Sequence, residues 1–112
     1  IERTSLEGYY KGRTSDGLYN DETGTAYMVR YFKDGTIRLL YVGNFIDGFP
    51  YDISNNAWSI AYSDDGGYYV HNTQGFKKGN AIIRSTNPID INEINNIISG
   101  YNFNCDLNWK QN

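Results

Sequence analysis

Side chains able to do covalent or acid–base chemistry are few in this chain of 112 residues. His71 is the only imidazole and Cys105 the only thiol. A Cys–His pair can act as nucleophile and base, but it also needs an orienting group and an oxyanion site. His71 follows Tyr69 on a predicted strand, which favours a solvent-facing or hydrogen-bonded imidazole. One His and one Cys cannot close a zinc site. We therefore predict no catalytic residue, no enzymatic activity and no cofactor.

Carboxylates are more numerous, but most of them stand in turn motifs. Glycoside hydrolysis needs two carboxylates that face one cleft, whereas an aspartate beside a glycine typically bonds its own backbone in a turn. A calcium loop needs a spaced set of oxygen ligands. Asp64-Asp65 and Asn20-Asp21-Glu22 lack that spacing, so we predict no metal site. The aspartates assigned to turns are Asp16, Asp34, Asp47, Asp64 and Asp65.

Composition narrows the class of protein. The chain carries a net charge of −3, and its ten Lys and Arg are scattered, with Lys77-Lys78 as the only adjacent pair. Nucleic acids and anionic membranes need clustered positive charge, so neither is a predicted partner. Eleven Tyr, five Phe and two Trp beside twelve Gly favour β-strands separated by turns.

The sequence predicts no particular cellular compartment. Cys105 is single, so it forms no internal disulfide and leaves the redox environment undecided. No apolar run in these 112 residues approaches the length that spans a bilayer, and no stretch of them has the pattern of a signal peptide, so neither feature is predicted within this sequence. Because the chain begins at Ile1 rather than Met, we expect a fragment or a processed form.

An internal repeat organises the chain. Tyr10-Lys11-Gly12-Arg13-Thr14-Ser15-Asp16-Gly17 shares its skeleton with Tyr41-Val42-Gly43-Asn44-Phe45-Ile46-Asp47-Gly48, 31 residues later. The same offset relates further pairs, namely Asp21 and Asp52, Ala26 and Ala57, Tyr27 and Trp58, Tyr31 and Tyr62, and Asp34-Gly35 and Asp65-Gly66. A shortened third copy places Ala81 where Ala26 and Ala57 stood.

Strand and turn signals follow this repeat. Asp34-Gly35 between two strand-like runs predicts a hairpin that pairs residues 25–32 with 36–45. On the first of these strands, the face that carries Tyr27 and Val29 is the predicted buried one. Residues 20–24 are predicted to form a polar loop, and residues 63–67 a further turn.

After Pro88 the spacing of the apolar residues becomes that of an α-helix. Asp90 and Glu93 form a predicted capping box, and isoleucines at 91, 94, 97 and 98 share one helical face. Gly100 is placed to end this helix as a left-handed cap. The alternating tail, residues 101–107, is predicted to add an edge strand or to lie across the open end of the sheet.

Tyr41, Gly43, Phe45 and Gly48 form the pattern Tyr-x-Gly-x-Phe-x-x-Gly, which resembles the MORN repeat over residues 8–85. The resemblance implies an elongated, twisted antiparallel sheet of consecutive β-hairpins that contacts proteins. The burial of apolar surface supports the same architecture. One two-stranded copy cannot bury its own aromatic face, so the copies must stack side by side. The glycines also leave bare backbone over which Tyr rings of the neighbouring strand can lie.

We therefore predict one mainly β domain over residues 1–112, with MORN-like hairpin repeats at 8–85 and a short helix with a capping tail at 88–112. Aromatic residues outside the strict alternation are the candidate contact face. These residues are Tyr9, Tyr19, Tyr51, Tyr68 and Tyr69.

The predicted function is a non-catalytic repeat module that binds a protein partner or other domains of its parent chain. The alternative is a repeat that binds cell-wall carbohydrate or choline. That alternative depends on the aromatic-rich segment 65–76, which resembles the hairpins of choline-binding and glucan-binding modules.

Overall fold

Consecutive antiparallel strands account for most of the chain. A computed structural model describes the backbone of residues 2–4, 8–51, 56–77 and 80–111, and the side chains of residues 8–51, 56–72 and 85–111. The elements are β1 (Glu2–Thr4), β2 (Gly8–Lys11), β3 (Thr14–Ser15), β4 (Leu18–Tyr19), β5 (Asp21–Tyr31), β6 (Ile37–Ile46), β7 (Phe49–Pro50), β8 (Trp58–Tyr62), β9 (Tyr68–Lys77), β10 (Asn80–Ile89) and α1 (Ile91–Ile98). The predicted class is confirmed: a mainly β chain with an antiparallel sheet of consecutive strands and a short C-terminal helix.

Strand order follows the sequence. The main sheet runs β1-β2-β5-β6-β8-β9-β10, with β7 folded back onto β6, and β3 pairs with β4 as a separate hairpin. The strand pairs are antiparallel. The hairpins β3-β4 and β6-β7 therefore project from one end of the sheet, and the turns at 32–36 and 63–67 lie at the other.

Those two turns have the same hydrogen bonds in both copies. Phe32 N donates to Thr36 O at 2.8 Å, and Ser63 N donates to Gly67 O at 2.9 Å. Each turn contains a glycine with positive φ, +86° in the first and +96° in the second, which is the left-handed region that glycine enters at little cost. The predicted Asp-Gly hairpin turns are confirmed.

The Tyr-x-Gly motif forms the same local bond in both copies. The Tyr10 hydroxyl donates to Arg13 O at 2.6 Å, and the Tyr41 hydroxyl donates to Asn44 O at 2.8 Å. Each ring folds along its own strand and reaches the carbonyl three residues later. The ring over the glycine thus belongs to the same strand, and not to the neighbouring strand as the sequence suggested.

The glycine of each motif is required by the space that this ring occupies. A Cβ built on Gly12 or on Gly43 would lie 2.5 Å from the preceding tyrosine hydroxyl and 2.7 Å from Ala26 or Ala57, respectively. Real Cβ atoms do not approach other heavy atoms so closely. The small residues of the repeat therefore make room for its large one, and this packing is what the 31-residue offset preserves.

Each face of the sheet carries a buried core, whereas for residues 25–32 the sequence predicted burial of the Tyr27 and Val29 face. One face, called the helix face, is covered by α1 and the C-terminal tail. The other, called the hairpin face, is covered in part by the β3-β4 hairpin. The buried core of the helix face comprises Tyr9, Tyr27, Val29, Ile37, Leu40, Val42, Ile60, Tyr68, Ile89, Ile94 and Trp109. That of the hairpin face comprises Tyr10, Ala26, Met28, Tyr41, Phe45 and Ala57.

The helix begins as predicted and ends differently. Glu93 N donates to the Asp90 carboxylate at 2.9 Å, which completes the capping box, and Ile94 is fully buried against the sheet. The predicted left-handed cap at Gly100 is wrong. Ser99 caps the helix in a right-handed conformation and Gly100 has no positive φ, because the chain continues past the helix through a tight turn in which Tyr101 N donates to Ile98 O at 3.0 Å.

The tail crosses the helix face of the sheet. Asn104 N donates to the Tyr27 hydroxyl at 2.9 Å, and the Phe103 ring meets the Tyr27 ring edge-on at 4.8 Å. Trp109 is buried and forms an isolated parallel bridge with Ile37. The tail thus covers a sheet face, and residues 101–107 form no edge strand.

Residues 20–24 also differ from the prediction. Most of this segment belongs to β5, which begins at Asp21 and has a register irregularity against β6 between Asp21 and Ala26. Gly24 has a φ of +81°, which fits an irregularity that glycine accommodates. Polar composition alone therefore misplaced the start of the strand.

The Tyr-x-Gly packing makes a stability prediction. Gly43→Ala should lower the free energy of unfolding by about 1–3 kcal/mol, because the new methyl group overpacks a filled space. Gly100→Ala is the matched control, since a Cβ there meets no atom within 4 Å. Urea unfolding followed by circular dichroism measures both variants. Equal stability of the two would contradict this packing.

Candidate functional site

Two of the five candidate tyrosines lie in the core. Tyr9 is 4% exposed and stacks with Tyr27, with 5.8 Å between the ring centroids. Tyr68 is also 4% exposed; its hydroxyl donates to Ile37 O and accepts from Lys110 N, each at 2.7 Å. Neither side chain presents an exposed ring to a partner. Both rings belong to the core of the helix face, where Trp109 of the tail packs edge-on against Tyr68.

The other three candidates are half-buried and do not share one surface. Tyr19 stacks on Tyr10, with centroids 3.8 Å apart and nearly parallel rings. Tyr51 donates its N–H to Asn44 O at the base of the second hairpin. Tyr69 lies at the opposite end of the sheet, where its hydroxyl donates to the Asp65 carboxylate at 2.6 Å. The structure therefore places Tyr19 and Tyr51 at the end that carries the hairpins, away from Tyr69.

The structure exposes two large apolar residues at that same end. Leu18 is 47% exposed and Phe49 is 48% exposed. They are 31 residues apart, so they occupy the same repeat position on the hairpins β3-β4 and β6-β7. A Cβ built on Gly48 would lie 3.6 Å from Leu18 Cδ2, and Gly48 N donates to Tyr19 O at 2.9 Å. The two hairpins thus lie side by side.

We call this surface the hairpin row. It consists of Leu18, Phe49 and the two turns that precede them, Asp16-Gly17 and Asp47-Gly48. Both turns have positive φ at each central residue, 53° and 78° in the first and 52° and 90° in the second. That geometry belongs to tight hairpins and holds the apolar residue after each turn in a fixed position.

Sequence reasoning missed Leu18 and Phe49 because it searched for surplus tyrosines. The repeat offset contained the signal. Asp-Gly-Leu and Asp-Gly-Phe recur at the same position, directly after a tight turn, where a large apolar side chain is hard to bury. A search for apolar residues that recur at turn positions would have found the hairpin row.

The buried carboxylate of Asp21 ties the start of the β3-β4 hairpin to β5. Asp21 is 3% exposed and accepts hydrogen bonds from Arg13 N and Thr23 N, both at 2.8 Å, and from the Thr23 hydroxyl. Burial opposes ionisation, but these donors outweigh it and lower the pKa of Asp21 below its usual value. The carboxylate is thus a structural anchor between the hairpin and β5.

Reactive groups do not converge in the described residues. His71 on β9 makes a 3.0 Å hydrogen bond to Thr86, and burial lowers its pKa. Cys105 is half-buried and lies against Tyr31 on β5, where burial and the nearby Cys105 raise the Tyr31 pKa to about 12. Two strands separate β5 from β9, roughly 14 Å at the usual strand spacing. His71 and Cys105 therefore form no pair.

Metal-ligand geometry is also missing from the part of the chain that the structure describes. That part contains no group of three or more His, Cys, Asp or Glu side chains placed to hold a metal ion. Asp34 and Asp65 accept hydrogen bonds from their own turns, at Thr36 N and Gly67 N. A bilayer-spanning helix is likewise not found among these residues.

Comparisons with protein-family models, with curated proteins and with solved structures found no match to this chain.

The Asp21 anchor gives a pH prediction. Its folded pKa is depressed, so its stabilisation is present above the unfolded value near 4 and is lost as the pH falls through the folded pKa. Asp21→Asn should therefore cost about 1–3 kcal/mol at pH 7, and less at pH 3. Urea unfolding at both pH values measures this difference.

The matched control for Asp21→Asn is Asp64→Asn, because Asp64 is exposed in a turn. We expect the control to keep wild-type stability at pH 7. A cost of Asp21→Asn that is the same at pH 7 and pH 3 would contradict the anchoring role of the carboxylate.

Proposed function

We propose that this chain is a non-catalytic, MORN-like hairpin-repeat module that binds a protein partner, or another domain of its parent chain, through the hairpin row. The observation that carries the proposal is the exposure of Leu18 and Phe49 at one repeat position on adjacent hairpins. Large apolar side chains that are exposed together commonly mark protein-binding surfaces.

The setting of these two residues supports binding by a rigid surface. Beneath the hairpins, Tyr10, Tyr41 and Phe45 are fully buried, and Tyr10 and Tyr41 are tied to backbone carbonyls. The tight turns leave the hairpin tips little conformational freedom. A partner would therefore bury apolar area without first ordering this surface, and preorganisation of that kind favours affinity.

The charge of the chain fits a protein partner better than a nucleic acid. The net charge is −3, and both turns of the hairpin row carry an aspartate two residues before the apolar residue. A groove for nucleic acid needs clustered cations. A complementary partner surface would combine apolar side chains with basic ones at its rim.

One observation supports binding of cell-wall carbohydrate as an alternative function. A cleft of about 330 Å³ lies beside Tyr69 and is also lined by Asp90 and Glu93. Sugar-binding hairpins stack several exposed rings on their ligand, whereas Tyr68 is buried here and Tyr69 is the one partly exposed tyrosine ring among residues 65–72, the part of this segment whose side chains are described. We therefore rank this function second.

Substitution of the hairpin row tests the proposal. Proteins captured by the wild-type chain from an extract of its source organism should be lost with the double variant Leu18→Ser/Phe49→Ser. For a captured protein that is then purified, we expect the dissociation constant to rise about 10- to 100-fold, since two partly exposed apolar side chains lose their burial. Isothermal titration calorimetry measures this change.

Tyr101→Ala is the matched control, because Tyr101 is 45% exposed but lies outside the repeats. A thermal melt of the Tyr101→Ala variant, followed by circular dichroism, checks that the fold survives loss of the hydrogen bond from Trp58 Nε1 to the Tyr101 hydroxyl. Unchanged binding by the double variant would contradict the proposal. Retention on a choline or glucan resin that Tyr69→Ala abolishes would favour the carbohydrate function instead.

A further inference from the structure

The outer edge of β10 is unpaired in the described sheet. β10 is the last strand in the sheet order and pairs with β9 along its inner edge. It is ten residues long, and residues 85–89 form its regular part, because the register against β9 shifts between Ile82 and Ser85. An unpaired edge presents main-chain donors and acceptors to any further strand.

The internal repeat aligns β10 with two other strands of the sheet. Ala81 on β10 stands where Ala26 stands on β5 and where Ala57 stands just before β8. β5 is paired on both sides, by β2 and β6, and β8 is paired on both sides, by β6 and β9. β10 therefore derives from a repeat position whose other two members are interior strands.

The C-terminal segment leaves this edge uncovered. Asp90 caps α1 directly after β10 ends, and the helix turns onto the helix face, where Ile94 is buried. The tail then continues to β6, as the bridge between Trp109 and Ile37 shows. Neither element is placed to pair with the outer edge of β10.

The exposed part of β10 carries no guarding charge, although Pro88 removes one main-chain donor from the free edge. Thr86, Asn87 and Pro88 are exposed, and the segment from Ser85 to Ile89 contains no charged residue. Natural edge strands are often guarded by lysine or by inward-pointing charges. Two copies of this segment can approach each other without like-charge repulsion.

Pro88 shows which backbone groups face outward. It pairs with Tyr69 inside the β9–β10 ladder, although proline has no N–H to donate. A proline fits such a ladder where its nitrogen points away from the partner strand. Thr86, two residues earlier in the same register, therefore directs its N–H and C=O to the free edge.

We infer that the outer edge of β10 pairs antiparallel with β10 of a second copy of this chain, which forms a two-fold symmetric dimer with one continuous sheet. Antiparallel pairing of a strand with itself is self-complementary, as an isologous interface requires. A register that places Thr86 opposite Thr86 of the second copy forms two hydrogen bonds there. It also sets Pro88 opposite residue 84, where Pro88 offers its carbonyl as an acceptor but has no N–H to donate. This inference is independent of the hairpin row.

Sedimentation equilibrium of the purified chain over a range of concentrations tests the dimer. We expect the wild type to approach twice the monomer mass, and Thr86→Pro to weaken the dimer at least about tenfold, because it deletes an outward donor in both copies. Thr86→Ala is the matched control. It removes the same hydroxyl contact to His71 but keeps the N–H, and it should still dimerise.

Three outcomes would overturn the inference. One is a wild type that stays monomeric up to about 1 mM. Another is a Thr86→Pro variant that dimerises like wild type with an unchanged circular dichroism spectrum. The third is loss of the dimer in Leu18→Ser/Phe49→Ser with retention in Thr86→Pro, which would assign dimerisation to the hairpin row.

Two further measurements cover the case in which Thr86→Pro does not fold. Asn87→Lys adds a guarding charge at the edge without a backbone change, and we expect it to be monomeric. In the wild type, the Thr86 amide should exchange with deuterium more slowly as the protein concentration rises. A folded Asn87→Lys that dimerises like wild type, or exchange at Thr86 that is independent of concentration, would contradict the pairing.

Discussion

The packing of a tyrosine ring over the bare backbone of the glycine two residues later is the constraint on which this fold depends. In both copies the ring lies along its own strand, and its hydroxyl bonds the carbonyl three residues on. A methyl group on Gly12 or Gly43 has no room. Because the ring and the glycine occupy one space, neither can change alone, and this explains why Tyr-x-Gly persists while the residues around it vary.

This packing decides which surfaces remain for function. The folded-down rings build a second core on the hairpin face, while α1 and the tail cover the helix face. With much of both faces covered, the described part of the sheet leaves its hairpin tips and the outer edge of β10 for contacts. The proposed protein contact at Leu18 and Phe49 and the inferred pairing at β10 both use these remaining surfaces, and they do so at different places in the molecule.

Local signals in the sequence were sufficient to predict the turns, the succession of strands and the start of the helix. Asp34-Gly35 and the Asp90–Glu93 capping box act within a few residues, so their outcome depends little on the rest of the chain. Burial of Tyr9 and Tyr68 was not predictable in this way. Helix-face residues far from them in sequence, including Trp109, close over that core, and the end of the helix before Gly100 depends on the path of the same tail.

A double-mutant cycle on Tyr41 and Gly43 tests the packing of ring and glycine most directly. The free energy of unfolding is measured by urea denaturation for wild type, Tyr41→Leu, Gly43→Ala and the double variant. If the ring is what excludes a methyl group at Gly43, the alanine should cost at least about 1 kcal/mol less in the Tyr41→Leu background, since residues that share a space are coupled. Additive effects, equal within about 0.3 kcal/mol, would contradict the account.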